Sequence, residues 1–452
     1  MTLLDVRAIR SAIIALAGAL SLASHSQALE IAGYVPYYRL GGTYNTNILP
    51  DQLSLLDEVR YFGLSVNSAG GIVPLSGSLN ARLNDITTIK SIINSLPVDE
   101  RPRLDITLGG AGVDSVFSSI AASSSLRTTL AQNIDDLLDT TGATSVDIDW
   151  EHPNAGVERS TLFPALLKRI KQEVGLSRRV SATAAPSVVI SNSIFSGPDA
   201  IDAVSLMTYD LGWWGGDPSN PNNGEHSLHE YVEDTIDAWT DPASANSQRP
   251  WVWTNSSWGN DTPANKVGVG LPFYARDVFG GAVARTYGEL LSGGTPIGGG
   301  YYSFGGSTYW IPDQTTIEDR IQLAHDEGLQ SVFIWEMGQD IDSDNANSML
   351  RIAANKRDSL IPDIPGDFDG NGVVDDADLT QWEGDFGVNA DSDANDDGNS
   401  DGADLLIWQK NLGSTGSLGA ASAAVPEPSS ALLLCCGVFL LSRRSHRQGC
   451  WF

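Results

Sequence analysis

Eight short runs rich in β-branched residues recur along this chain, at 31–35, 59–66, 104–108, 146–150, 180–185, 203–207, 267–271 and 331–335. Between most of them lie stretches of helical periodicity: 83–96, 126–138, 162–174, 228–239 and 317–327, with Arg351 in a last helix. Strands that alternate with helices build parallel sheets, because a parallel neighbour needs a long crossover. Eight such units between about 29 and 357 fit a parallel sheet closed into a barrel. An open doubly wound sheet is the alternative, but no Gly-rich dinucleotide turn follows the first run.

A barrel of this kind places its active site at the C-terminal ends of the strands. The fourth run reads Thr144-Ser-Val-Asp-Ile-Asp-Trp-Glu151. Residues two apart on a strand share a face, so Asp147, Asp149 and Glu151 line one side, with Val146, Ile148 and Trp150 on the other. Crowded acids on a buried strand cost stability through desolvation and repulsion, and they hold protons that a lone acid would lose. That cost suits chemistry, with a metal site or a solvated edge strand as the alternative. No histidine cluster supports the metal. Other strand ends carry Tyr34-Val-Pro-Tyr-Tyr38, Gly109-Gly110, Met207-Thr-Tyr-Asp210 with Trp213 and Trp214 beyond, Pro272-Phe-Tyr-Ala-Arg276, and Trp335-Glu336. Acids and aromatics at one rim suit a sugar, whose apolar faces stack on rings while its hydroxyls take hydrogen bonds. Trp251, Trp253 and Trp258, in a loop rich in Pro, Ser and Asn, are expected to pack that loop.

The formal net charge of −29 makes nucleic acid an unsuitable partner. Roughly a third of residues 363–404 are acidic. There Asp367, Asp369, Asn371, Asp375 and Asp378 stand at positions 1, 3, 5, 9 and 12 of a loop with Gly372 at position 6. The pattern returns as Asp393, Asn395, Asp397, Asp401 and Asp404, with Gly398 at position 6. This is the spacing with which a loop wraps Ca²⁺, although aspartate replaces the usual glutamate at position 12. All three cysteines (Cys435, Cys436, Cys450) lie beyond these loops, so the main body has neither disulfide nor thiol chemistry. Residues 1–28, with Arg7, Arg10, an apolar run and Ser26-Gln27-Ala28, read as a secretory signal peptide. A linker at 415–424 leads to a tail at 425–446 that holds Pro426-Glu-Pro428, a short apolar run and Arg443-Arg444.

On these motifs, residues 29–360 resemble glycoside hydrolase family 18, the chitinase family. Its Asp-x-x-Asp-x-Asp-x-Glu signature is met by Asp147, Asp149 and Glu151, whereas Thr144-Ser145 replaces the first Asp-Gly and puts the tuning of the other acids in question. Thr107-Leu-Gly-Gly110, Met207-Thr-Tyr-Asp210, Gly270-Leu-Pro-Phe-Tyr-Ala-Arg276 and Phe333-Ile-Trp-Glu336 also look like that family. Residues 365–414 resemble a type I dockerin, and 425–446 resemble a PEP-CTERM sorting signal. The resemblances imply a TIM (β/α)8 barrel followed by a small α-helical calcium-binding, dockerin-like module. They imply an exported protein, extracellular or at a bacterial surface, handled by membrane-associated sorting machinery and possessing a cohesin-type partner or a purely structural spacer.

The implied reaction is retaining hydrolysis of β-1,4 bonds next to N-acetylglucosamine, as in chitin or another glycan, assisted by the substrate itself and needing no cofactor. Glu151 is then the acid, and Asp149 and Tyr209 hold the acetamide. Asp147 shares a proton with Asp149. Trp335 floors the sugar, and Asp210, Tyr34, Trp213, Trp214, Tyr274, Arg276 and Gly110 are the candidate substrate-binding residues. An endo-β-N-acetylglucosaminidase is a close variant. A non-catalytic glycan-binding surface protein, or a scaffold component built around the calcium module, is the competing class.

Overall fold

A computed structural model describes residues 29–414, apart from 99, 212–223, 242–260, 281–282 and 362–363. The signal-like segment, Trp213, Trp214, the loop tryptophans 251, 253 and 258, the linker and the sorting-like tail therefore lie outside the described residues. The rest falls into two units, 29–361 and 364–414.

In the first unit the eight runs form β1 (Glu30–Pro36), β2 (Glu58–Val66), β3 (Arg103–Gly109), β4 (Ser145–Asp149), β5 (Arg179–Ala184), β6 (Ala203–Leu206), β7 (Val267–Pro272) and β8 (Ser331–Trp335). Each strand pairs in parallel with the next, and β1 pairs with both β2 and β8, so the sheet closes on itself. Closure excludes the open doubly wound alternative. Helices Leu79–Ser95, Ser124–Thr141, Phe163–Val174, His229–Thr240 and Gln314–Asp326 follow β2, β3, β4, β6 and β7, with Met349–Asp358 after β8; β5 is followed only by the 3-10 turn Asn192–Phe195. Local chemistry sets their ends. The Ser78 and Asp313 side chains accept the backbone N–H groups of Ala81 and Thr316 at 3.2 and 3.0 Å. Gly142 ends Ser124–Thr141 in the left-handed region, with φ 68°.

The period of two divides every strand. Ile31, Val35, Val59, Leu104, Ile106, Val146, Ile148, Val180, Val204, Val269 and Val332 join the apolar layer shared with the helices. The opposite residues fill the barrel. Near β8 that filling is apolar: Ala32, Tyr34 and Phe333, with Phe62, Met207, Tyr209 and Trp335 packed on them. Near β4 it is polar, and Glu58, Arg60, Asp105, Ser145, Asp147, Ser181, Thr183 and Ser205 are all buried.

Tyr274 and Arg276 do not continue β7. After Phe273 the chain starts a separate antiparallel sheet, in the order Arg285–Thr286, Tyr274–Asp277, Ser307–Trp310, Tyr301–Phe304, Thr295–Gly298, inserted before β8. These strands are two to four residues long, too short to display a period.

The second unit is a repeat. Helices Asp376–Asp385 and Gly402–Asn411 each follow an acidic loop. Asp375 and Asp401 cap them, and Asp378 and Asp404 return the bond to complete capping boxes. The repeats also hold each other: Trp382 Nε1 donates to the Asp401 carbonyl at 2.9 Å, and Trp408 Nε1 to the Asp375 carbonyl at 2.8 Å.

Candidate active site

Strand β4 delivers the acid row, and the aromatic side chains behind it fix the row. Trp150 is fully buried between Phe117 and Phe163, with ring centroids 5.7 and 4.9 Å away. Asp147 lies deepest. Its Oδ1 accepts the Ser181 hydroxyl at 2.8 Å, and its Oδ2 accepts those of Thr183 at 2.9 Å and Tyr34 at 3.1 Å. Three hydroxyls thus stand within hydrogen-bond reach of its two oxygens.

Asp149 comes next, 5% exposed, with its Oδ1 buried and without a hydrogen-bond partner. Burial pushes its carboxyl well above the ordinary range, and the charges of Glu151, Asp147 and Asp114 add to that. Glu151 follows at the mouth of the barrel, its side chain 19% exposed. Burial raises it too; His152, 3.8 Å away, opposes and Asp114 assists. The row thus runs from the hydrogen-bonded Asp147 to two carboxyls, Asp149 and Glu151, that burial raises above the ordinary range.

The strand ends close around this row. Gly109 and Gly110 have φ of 134° and 102°, outside the reach of ordinary side chains. A Cβ on Gly110 would lie 2.8 Å from the Phe62 ring and 3.9 Å from Asp149 Oδ2, so only glycine leaves room beside the acid. Trp335, at the end of β8, stands edge-on to Tyr34 and Phe62 with centroids 5.3 and 5.2 Å away. Behind it Glu336 is fully buried, taking Arg39 at 2.6 Å and the Gly338 N–H at 2.9 Å. Tyr209 lies against bare Gly270, where a Cβ would come within 2.5 Å of its ring.

Asp210 sits at φ 56°, a conformation aspartate tolerates better than most residues. Arg276 grips it with two bonds of 2.9 and 2.7 Å, and His226 Nδ1 stands 3.3 Å away. Burial alone would raise the Asp210 carboxyl, but the bonds from His226 and Arg276 prevail and hold it well below the usual range.

The candidate substrate-binding residues differ in their surroundings. Tyr34, expected at a sugar subsite, is 2% exposed, and its hydroxyl serves Asp147. Tyr274 is 3% exposed and its ring lies tilted against the buried His226, with centroids 4.9 Å apart. Arg276 is engaged by Asp210. Position 144, taken as the inner support of the row, is exposed and on the outward parity of β4. The inward neighbour is Ser145, which bonds to Asp105 on β3. An acid therefore does underlie the row, supplied by the adjacent strand. Asp105, Ser181, Thr183, Arg60 and His226 were not foreseen. Charged residues two apart at Glu58 and Arg60, inside an otherwise apolar run, were the available signal.

In the second unit, carboxylate oxygens of Asp367, Asp369 and Asp378 lie within 4.8 Å of one another. Burial, with Asp378 and Asp369 adding, pushes Asp367 up to about 6. Such crowding favours a cation among them. Asn371 and Asp375 flank the group, Asn371 Nδ2 donating to Asp369 at 2.9 Å. In the second loop Asp393 accepts the Asp397 and Gly398 N–H groups at 3.1 and 2.6 Å, and Asp404 accepts that of Ala394 at 2.9 Å. Among the described residues this loop forms no equally tight group.

A family model described as Glycosyl hydrolases family 18 matches residues 33–340. The class V chitinase CHIT5 of Lotus japonicus is 27% identical over 289 residues, covering 54% of this chain and 68% of that protein. Endochitinase 1 of Metarhizium anisopliae is 22% identical over 381 residues, covering 72% and 85%. Among solved structures, the fold is shared with the GH18 chitinase ChiB from the chitin utilization locus of Flavobacterium johnsoniae, at a TM-score of 0.55 and 18% identity, covering 74% of this chain and 96% of that one. It is shared too with the Ostrinia furnacalis Group IV chitinase in complex with allosamidin, at 0.54 and 15%, covering 72% and 98%.

Proposed function

The chain belongs to glycosyl hydrolases family 18 and is a glycoside hydrolase, and from that premise we propose that it cleaves β-1,4 bonds next to N-acetylglucosamine, in chitin or chitooligosaccharides, with retention. The observation that carries this reading is Asp149 Oδ1, a buried carboxyl oxygen with no partner of its own, in a group that burial raises, beside the acid at the mouth. A buried unsatisfied polar atom marks a place for a ligand. The acetamide of an N-acetyl sugar, resting on Trp335, fits it.

In this mechanism Glu151 gives its proton to the leaving glycosidic oxygen. The acetamide oxygen of the sugar attacks its own anomeric carbon, and Asp149 and Tyr209 orient the amide and stabilise the oxazolinium. Asp147 shares a proton with Asp149 beneath. Water then opens the oxazolinium, giving up a proton to Glu151 and restoring the β-anomer. Glu151→Gln tests this on a soluble N-acetylglucosamine oligomer followed by NMR. The wild type is expected to release the β-anomer first, and the variant to lose about 10²–10⁴-fold in kcat. Unchanged turnover would remove Glu151 from the mechanism. Tight binding without cleavage by the wild type would favour a glycan-binding role.

For the second unit, the loop spacing and the crowding at Asp367 support one Ca²⁺ on Asp367, Asp369, Asn371, Asp375 and Asp378, and another on Asp393, Asn395, Asp397, Asp401 and Asp404. These ions would hold the repeats together and take no part in hydrolysis. Calcium-dependent capture by a cohesin domain is the test of a docking role, and its absence leaves a spacer. Export follows from the signal-like 1–28 and surface sorting from 425–446. Fractionation of the host cell checks both.

A further inference from the structure

Beneath the acid row the barrel holds a charge that hydrolysis, as described so far, does not use. Arg60 on β2 is 3% exposed. Its Nε donates to Glu58 Oε1 at 2.6 Å, and its Nη1 donates to Ser205 Oγ at 2.7 Å and to the Tyr34 hydroxyl oxygen at 3.2 Å. Glu58 also receives Arg103 Nη2 at 3.2 Å, so Glu58 alone does not cancel the charge of Arg60. The Tyr34 hydroxyl in turn stands 3.1 Å from Asp147 Oδ2.

The polarity of this relay is fixed. A guanidinium only donates and keeps its protons at every accessible pH. The Tyr34 oxygen therefore accepts from Arg60, which turns its single proton toward the β4 and β5 side, onto Asp147 or onto Thr183 Oγ1 at 2.9 Å. Thr183 passes its own proton to the same Asp147 oxygen at 2.9 Å. Either way Asp147 is met by donors alone.

We propose that Arg60 is a positioning residue for hydrolysis: through Tyr34 it meets Asp147 with donors alone and so favours the proton of the row on Asp149. The inference rests on the mechanism above. The groups facing Asp147 are Tyr34 from β1, Arg60 from β2, Asp105 from β3, Asp149 from β4, and the neutral hydroxyls of Ser181 and Thr183 from β5. Arg60 is the cation among them. Its pull also works against burial at Asp149 and at Asp105. Without it the row would take up a further proton at higher pH, and hydrolysis would fail there.

The test is the pH profile of kcat/KM on a soluble N-acetylglucosamine oligomer, using the full chain. Arg60→Met is combined with Glu58→Gln so that no unpaired charge is left in the barrel. Tyr34→Phe interrupts the relay without touching the charge pair. In each the acidic limb is expected to move up by about one pH unit, the low end of what a nearby opposite charge produces. KM should stay within about twofold, since Arg60 does not reach the cleft. Arg60→Lys keeps the charge and is expected to keep most of the limb in place. An unmoved limb in either variant that retains the wild-type circular dichroism spectrum overturns the proposal, as does a uniform fall in kcat with the profile unchanged. Glu151→Gln run alongside separates the two readings: if it stays active, the mechanism fails whatever Arg60 does.

Discussion

Asp147 is held unevenly by its hydroxyls, and the unevenness can be measured. Its Oδ1 has one donor, Ser181, while its Oδ2 has two, Thr183 and Tyr34. Ser181→Ala leaves Oδ1 of a fully buried carboxylate with no hydrogen bond. A bond to a charged group contributes about 1.5–3 kcal/mol net, and stranding a buried charged acceptor costs at least as much. Ser181→Ala should therefore destabilise the barrel by about 2–3 kcal/mol. Thr183→Val keeps the volume of the side chain and leaves Oδ2 with Tyr34, so about 1 kcal/mol is expected. The assay is urea unfolding of the full chain at pH 7, followed by far-UV circular dichroism, with the slope checked for constancy so that a shifted midpoint reports stability. Equal losses in the two variants, or losses below about 0.5 kcal/mol in both, would show that the hydroxyls do not hold a charge.

Two further outcomes follow from the geometry. The raised carboxyl of Glu151 makes activity fall as pH rises through its value, because the acid must be protonated to act. Asp114 is one of the groups raising it, so Asp114→Asn should move the alkaline limb of the kcat profile to lower pH, and a limb that stays or moves up would refute that assignment. Chelation by EDTA should leave hydrolysis mostly intact and alter the fluorescence of Trp382 and Trp408, whose indoles bond to the carbonyls of Asp401 and Asp375 in the acidic loops. Complete loss of hydrolysis, restored by a divalent ion, would instead make the metal part of the reaction.

The barrel was legible because its strands are buried on both faces and spell themselves out in β-branched residues. The acid row was legible because the period of two puts Asp147, Asp149 and Glu151 on one side whatever the rest of the fold does. The same period puts Thr144 on the outside, where a signature motif says nothing of which way a side chain faces. What supports the row was hidden for a different reason. Asp105, Ser181, Thr183 and Arg60 come from three other strands, and the register that brings Asp105 opposite Ser145 and Arg60 opposite Asp105 is a property of the closed sheet. The roles of Tyr34 and Tyr274 also turn on where a hydroxyl points, and a tyrosine at a strand end looks alike in the sequence whether it faces a ligand or another strand.

The crossed tryptophans of residues 364–414 have a consequence for how this segment can change. Each indole fastens the loop that belongs to the other helix. Half of the segment is therefore not a smaller version of the whole: deletion of either repeat takes away a partner and also unlatches the survivor. A truncation within it discards both halves in effect, so the segment can be gained, moved or lost only as one piece.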